Sequence, residues 1–199
     1  DNIISPIVDV KIGYTSSGLQ EGENVAESYR IEAGAEVGYQ NSGGIRAGIY
    51  AGDIIVRQVY RVLPFGNKLM SMDLRGDYLK NQFNYGYVSG AYENGGSWYL
   101  DNGDLIENSG YYRVATNEYS GTRYDFVHGE NITYHGLCRD AFVEYLEETY
   151  PYSPVGGVFH SADRERLEEQ GENTLTAYLV PLAAVISVLA LAVWWRKRE

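Results

Sequence analysis

The run Asn41-Ser42-Gly43-Gly44-Ile45-Arg46 sets an amide and a guanidinium on either side of paired glycines. Adjacent glycines allow backbone shapes and close approaches that a Cβ would block. An arginine beside them offers a planar fork of donors suited to phosphate or ribose oxygens. After Gly52-Asp53-Ile54, a second turn follows at Leu63-Pro64-Phe65-Gly66-Asn67. Pro64 fixes its own φ and pushes Leu63 toward extended geometry, so Phe65 stands on a rigid corner. A ring held this way either packs in a core or offers a face to a flat ligand.

A third motif lies further on: Tyr112-Arg113-Val114-Ala115-Thr116-Asn117, then Tyr119, then Asp125. In this order the motifs resemble the C-terminal domain of the 5'-nucleotidase family, which includes the UDP-sugar hydrolases. The resemblance covers roughly residues 24–155. It implies an α+β fold of mixed sheets with few helices and a nucleoside or nucleotide as ligand. By the same resemblance, Phe65 and Tyr119 sandwich the base, and Asn67 bonds the base edge with the backbone around Gly90 beside it. Asp125 would accept from ribose hydroxyls, and Asn41 and Arg46 would reach the ribose or phosphate. Two departures stand out. The family's upstream phosphate-binding arginine would fall near Ser17, where there is none; Lys11 is the closest cation. The paired glycines before the family's aspartate are replaced by Arg123 and Tyr124. Arg123 either restores a positive charge or is a solvated surface residue.

In that family catalysis belongs to a separate N-terminal domain, which holds two divalent metals and activates water. Its D-x-H and G-N-H-[ED] signatures do not occur here, and His128, His135 and His160 have no metal-ligand spacing. No cofactor is therefore expected in this chain, and the chain alone is not expected to hydrolyse a nucleotide. Three readings stay open: a recognition domain working with a metallophosphatase domain supplied elsewhere, a stand-alone nucleoside- or nucleotide-binding module, or a structural surface protein that reuses the fold.

The elements that must position these residues can be read coarsely. A strand-like run at 3–12 passes into a polar loop at 15–23. Residues 24–30 read as a short helix and 31–40 as the strand that delivers Asn41. A helical turn or two fits 56–63, and alternation marks a strand at 68–74. A brief helix at 76–82 precedes strands at 85–92 and 97–100. Asp101-Asn102-Gly103-Asp104 carries a hairpin signal. Residues 111–116 form the strand entering the third motif, and 137–148 an amphipathic helix.

With 199 residues and a net charge of −11, a nucleic-acid backbone is an unsuitable partner. The single cysteine, Cys138, excludes an internal disulfide. Its surroundings superficially resemble a thiol nucleophile, but it reads as a buried thiol on a helix. Residues 1–158 are assigned to the domain and 159–174 to a charged stalk. Residues 175–195 carry no charged side chain, enough to span a bilayer core of about 30 Å. Arg196-Lys197-Arg198 then mark a cytoplasmic tail at 196–199. This pattern predicts a single-pass cell-membrane protein with its domain outside. The sequon Asn131-Ile132-Thr133 agrees with an extracellular glycoprotein. The chain begins without methionine, as a mature form or a fragment would.

Overall fold

Two strands of this chain run parallel and adjacent, and their shared C-terminal edge governs where the side chains above meet. In the computed structural model, which describes residues 8–152, the elements in order are β1 (Lys11–Thr15), α1 (Glu21–Glu32), β2 (Val37–Asn41), β3 (Gly52–Ile55), α2 (Val56–Val62), β4 (Lys68–Arg75), α3 (Gly76–Gln82), β5 (Gly86–Ser89), β6 (Ala91–Asn94), β7 (Ser97–Leu100), β8 (Tyr111–Asn117), α4 (Glu118–Gly121), β9 (Glu130–Leu137) and α5 (Cys138–Thr149). The main sheet has five strands in the order β5-β2-β8-β4-β9. β2 and β8 are its parallel pair, with Val37 opposite Val114 and Tyr39 opposite Thr116; the other pairings are antiparallel. β1 pairs with β3, and β6 with β7, as separate two-stranded ribbons. The mixed α+β class expected from the sequence is observed.

Both faces of the sheet are covered, each by its own apolar cluster. On one face Val25 and Tyr29 of α1 pack with Phe142 and Leu146 of α5, and Leu69 and Ala115 close the layer. On the other, Val37, Tyr39, Met70, Met72, Leu74 and Val114 pack against Leu79, Phe83 and Phe126. Burial on both sides explains why β4 departs from clean alternation: Leu69, Met70, Ser71 and Met72 are all buried.

Several boundaries differ from those read in the sequence. The run 15–23 is not simply a polar loop, because Thr15 still pairs with Gly52 and α1 already starts at Glu21. The Glu21 carboxylate accepts from the Ile49 amide, a non-local bond that fixes the helix start. Residues 31 and 32 belong to α1, so β2 begins only at Val37. The strand expected over 85–92 is broken at Gly90, whose φ of +82° turns the chain out of the main sheet. The tight β6–β7 hairpin turns at Gly95 and Gly96, both with positive φ. At Asn102-Gly103 the chain also reverses, but only a single Tyr99–Leu105 bridge follows. The expected stalk, membrane span and basic tail, the 153–158 end of the domain and His160 lie outside the described residues. Among the described residues no helix is long and apolar enough to cross a membrane.

One close approach carries a stability prediction. A Cβ at Gly38 in β2 would collide with the Ala26 carbonyl of α1. Gly38→Ala is therefore expected to destabilise the domain by about 1–3 kcal/mol through overpacking. The check is a lower urea midpoint at unchanged slope; an unmoved midpoint would mean that α1 shifts away freely.

Candidate functional site

The parallel pairing brings Asn41, the last residue of β2, and Asn117, the last residue of β8, to the same edge of the sheet. β4 runs the opposite way, so its entry, with Phe65 and Asn67 just before Lys68, arrives there too. Open α/β sheets characteristically place ligand crevices outside the carboxyl ends of their strands. At this edge lies a cavity of about 260 Å³ lined by Asn41, Gly43, Gly44, Phe65, Asn67 and Tyr119. Four of the residues singled out in the sequence thus meet. Phe65 and Tyr119 are 50% and 42% exposed, so both rings keep open faces.

An amide network holds Asn41 in one orientation. Its Oδ1 accepts from Asn117 Nδ2 at 2.9 Å, Gln40 Nε2 at 3.2 Å and Ser120 Oγ at 3.2 Å. Gln40 Oε1 in turn accepts from Asn117 Nδ2 and the Tyr29 hydroxyl, both at 3.0 Å. Asn117 Oδ1 accepts from the Ser120 amide at 2.9 Å and so caps α4, the helix that carries Tyr119. With its carbonyl committed to three donors, Asn41 keeps its amide nitrogen for a ligand. Neither Gln40 nor Ser120 was singled out in the sequence. The available signal was an Asn with Ser three residues later, a cap pattern.

Sharing Asn41, Gly43 and Tyr119 with the first, a larger cavity of about 820 Å³ is also lined by Tyr39, Lys80, Asn81, Gln82, Tyr85, Tyr124 and Asp125. Asp125 Oδ2 accepts from Asn81 Nδ2 at 3.1 Å and Gln82 Nε2 at 3.0 Å, which orients the carboxylate from α3. Burial pushes the Tyr39 phenol up to about 12, with the neighbouring Tyr124 adding to the effect. The Tyr39 hydroxyl is thus a neutral hydrogen-bonding group at neutral pH.

The remaining expected site residues lie elsewhere. Gly90 lines neither cavity: β5 runs antiparallel to β2, so Gly86 sits beside Asn41 while Gly90 follows the far end. A Cβ there would collide with the Glu36 carbonyl and Arg30. Arg46 also lines neither cavity. Its Nη1 donates to the Gly43 carbonyl at 3.3 Å, which ties the guanidinium to the glycine turn. Lys11 is held by Asp53 at 2.5 Å. Asn131 of the sequon is exposed, and its amide donates to Asp73 at 2.7 Å. His135 meets Ser71 at 2.7 Å, and His128 stacks on Tyr78. Among the described residues no group of three or more His, Cys, Asp or Glu could hold a metal ion.

Cys138 is 2% exposed, and burial pushes its thiol up to about 12. A thiol held neutral is a poor nucleophile. Iodoacetamide at pH 8 is therefore expected to leave the folded protein unlabelled and to label it fully in urea. Rapid labelling of the native protein would overturn the buried assignment.

Together, these elements define an α+β domain whose mixed sheet carries aromatic-flanked cavities at its parallel-strand edge. A family model described as "5'-nucleotidase, C-terminal domain" matches residues 15–97. The chain is 29% identical over 198 residues to the trifunctional nucleotide phosphoesterase protein YfkN of Bacillus subtilis, covering 74% of this chain and 13% of that protein. It is 30% identical over 169 residues to a 5'-nucleotidase of Vibrio parahaemolyticus, covering 71% of this chain and 30% of that one. In fold it is similar to the crystal structure of a 5'-nucleotidase precursor from Thermus thermophilus, with a TM-score of 0.60 at 24% identity over 70% of this chain and 37% of that chain. The chain thus spans less than a third of these two sequence relatives.

Proposed function

We propose that this domain recognises a nucleoside or nucleotide for a 5'-nucleotidase-type phosphoesterase, with hydrolysis performed by a metallophosphatase domain outside the described residues, in this protein or in a partner. The observation that carries the reading is the convergence of Asn41, Phe65, Asn67 and Tyr119 on one cavity at the strand edge. Two half-exposed rings at a cavity suit a base, because stacking is worth about 1–3 kcal/mol and tolerates any base. The Asn41 and Asn67 amides would meet polar base or ribose atoms, and Asp125 would accept from ribose hydroxyls in the adjoining cavity. Arg46 would reach a phosphate by swinging away from the Gly43 carbonyl, a weak contact at 3.3 Å.

The test is calorimetric titration with adenosine, AMP and UMP without metal. Saturable binding, tighter for AMP than for adenosine, is expected. Arg46→Ala is expected to weaken AMP more than adenosine; equal losses would place Arg46 in the fold or on the ribose. No binding by the folded protein would leave a structural surface role. Binding with no phosphatase partner in the cell would favour a stand-alone module.

We further propose that residues 175–195 anchor the protein in the cell membrane with the domain outside. The support is their lack of charge and the basic residues that follow. Deleting 175–199 is expected to release the protein from carbonate-washed membranes, and retention after deletion would sink the anchor.

A further inference from the structure

We infer that Arg123 is a positioning residue for the pocket's second ring: it backs Tyr119, so that a bound base, the tyrosine and the guanidinium form three successive layers. The inference rests on the reading of the cavity as a nucleobase site. It differs from a phosphate role for Arg123, which the residue's charge alone would suggest.

The geometry is specific. The Arg123 guanidinium carbon lies 4.2 Å from the centroid of the Tyr119 ring. Nη1 donates to the Tyr119 carbonyl at 2.9 Å and to Thr122 Oγ1 at 3.1 Å. The group is therefore tied to the loop that carries the ring it covers. Tyr119 lines both cavities, whereas Arg123 lines neither. On this inference the cation covers the ring face turned away from the ligand space. None of the ion pairs among the described residues involves Arg123. Its hydrogen bonds go to neutral oxygens. The loop keeps this arrangement although Tyr124, the next residue, has a φ of +53°, a region costly for a side chain of that size.

Two consequences follow for binding. A cation over one face draws on the ring's negative quadrupole, which leaves the opposite face better matched to an electron-rich base. The carbonyl bond and the stacked guanidinium also restrict the ring's rotamers. Less freedom is then lost when a ligand seats. Neither effect depends on a phosphate.

The experiment is titration of the full chain and its Arg123 variants with adenosine and with AMP, alongside thermal unfolding. Arg123→Ala is expected to weaken both ligands by the same factor, about 3- to 10-fold, with the unfolding temperature little changed. Arg123→Lys, which keeps a cation over the ring, is expected to recover part of the loss, and Arg123→Gln none. In a Tyr119→Ala background, Arg123→Ala is expected to cost nothing further. A loss confined to AMP would overturn the inference in favour of a phosphate contact. Undiminished binding by Arg123→Ala, or an equal loss in the Tyr119→Ala background, would overturn it as well. If the unaltered protein binds neither ligand, the nucleobase reading itself fails and this inference with it.

Discussion

Phe65→Ala is expected to weaken adenosine and AMP alike by roughly 10- to 100-fold while leaving the domain folded. The size follows from the about 1–3 kcal/mol that a base–aromatic stack contributes. Tolerance of the change follows from the position. Phe65 is half exposed on the Pro64 corner and belongs to neither buried cluster, so its removal leaves no core void. The contrast that makes the result decisive is Phe142 of α5, fully buried in the cluster it shares with α1. Phe142→Ala is an ordinary core truncation and should cost stability first. An exposed ring whose loss costs affinity but not stability is a ligand contact. If Phe65→Ala binds as tightly as the unaltered protein, the 260 Å³ cavity is not a base site, and the second ring and its Arg123 backing lose their purpose.

Local chemistry was legible in the sequence wherever local sequence decides the structure. The Pro64 corner, the helices after Ile55 and Arg75, and β7 fall where turn signals and periodicity place them. What the sequence concealed depends on partners distant along the chain. Thr15 looks like the start of a polar loop, yet it pairs with Gly52. The start of α1 is tied to Ile49 through Glu21. Gly90 belongs to the strand pattern around it, but its backbone turns there, and the antiparallel register with β2 carries it away from Asn41. The site divides along the same line. Phe65, Asn67 and Tyr119 stand out through the motifs that resemble the 5'-nucleotidase family, which are short and contiguous in sequence. Gln40 and Asn117 are buried polar residues inside strands, and their value emerges only when β2 and β8 lie side by side.

Asn117→Ala should therefore produce the largest combined effect of any single change at the site. The residue is 1% exposed and engages three partners: Gln40 Oε1, Asn41 Oδ1 and the Ser120 amide. Loss of a cap costs about 1 kcal/mol, and each lost buried hydrogen bond adds about 1 kcal/mol more. The stability loss is thus about 3 kcal/mol, a large share of what a domain of this size possesses. Affinity falls for a separate reason. Without Asn117, the Asn41 amide can rotate and α4 loses the cap that sets the direction of Tyr119. Both walls of the cavity loosen at once. Ser120→Ala separates the two effects, because it removes the hydroxyl bond to Asn41 at 3.2 Å but retains the backbone cap. It is expected to leave the unfolding midpoint nearly unchanged and to weaken binding only slightly. Chemical denaturation and titration of both variants make the check. Should Asn117→Ala unfold at the same urea concentration as the unaltered protein, the network would be ornamental, and the fixed orientation of Asn41 could not be what prepares the cavity for its ligand.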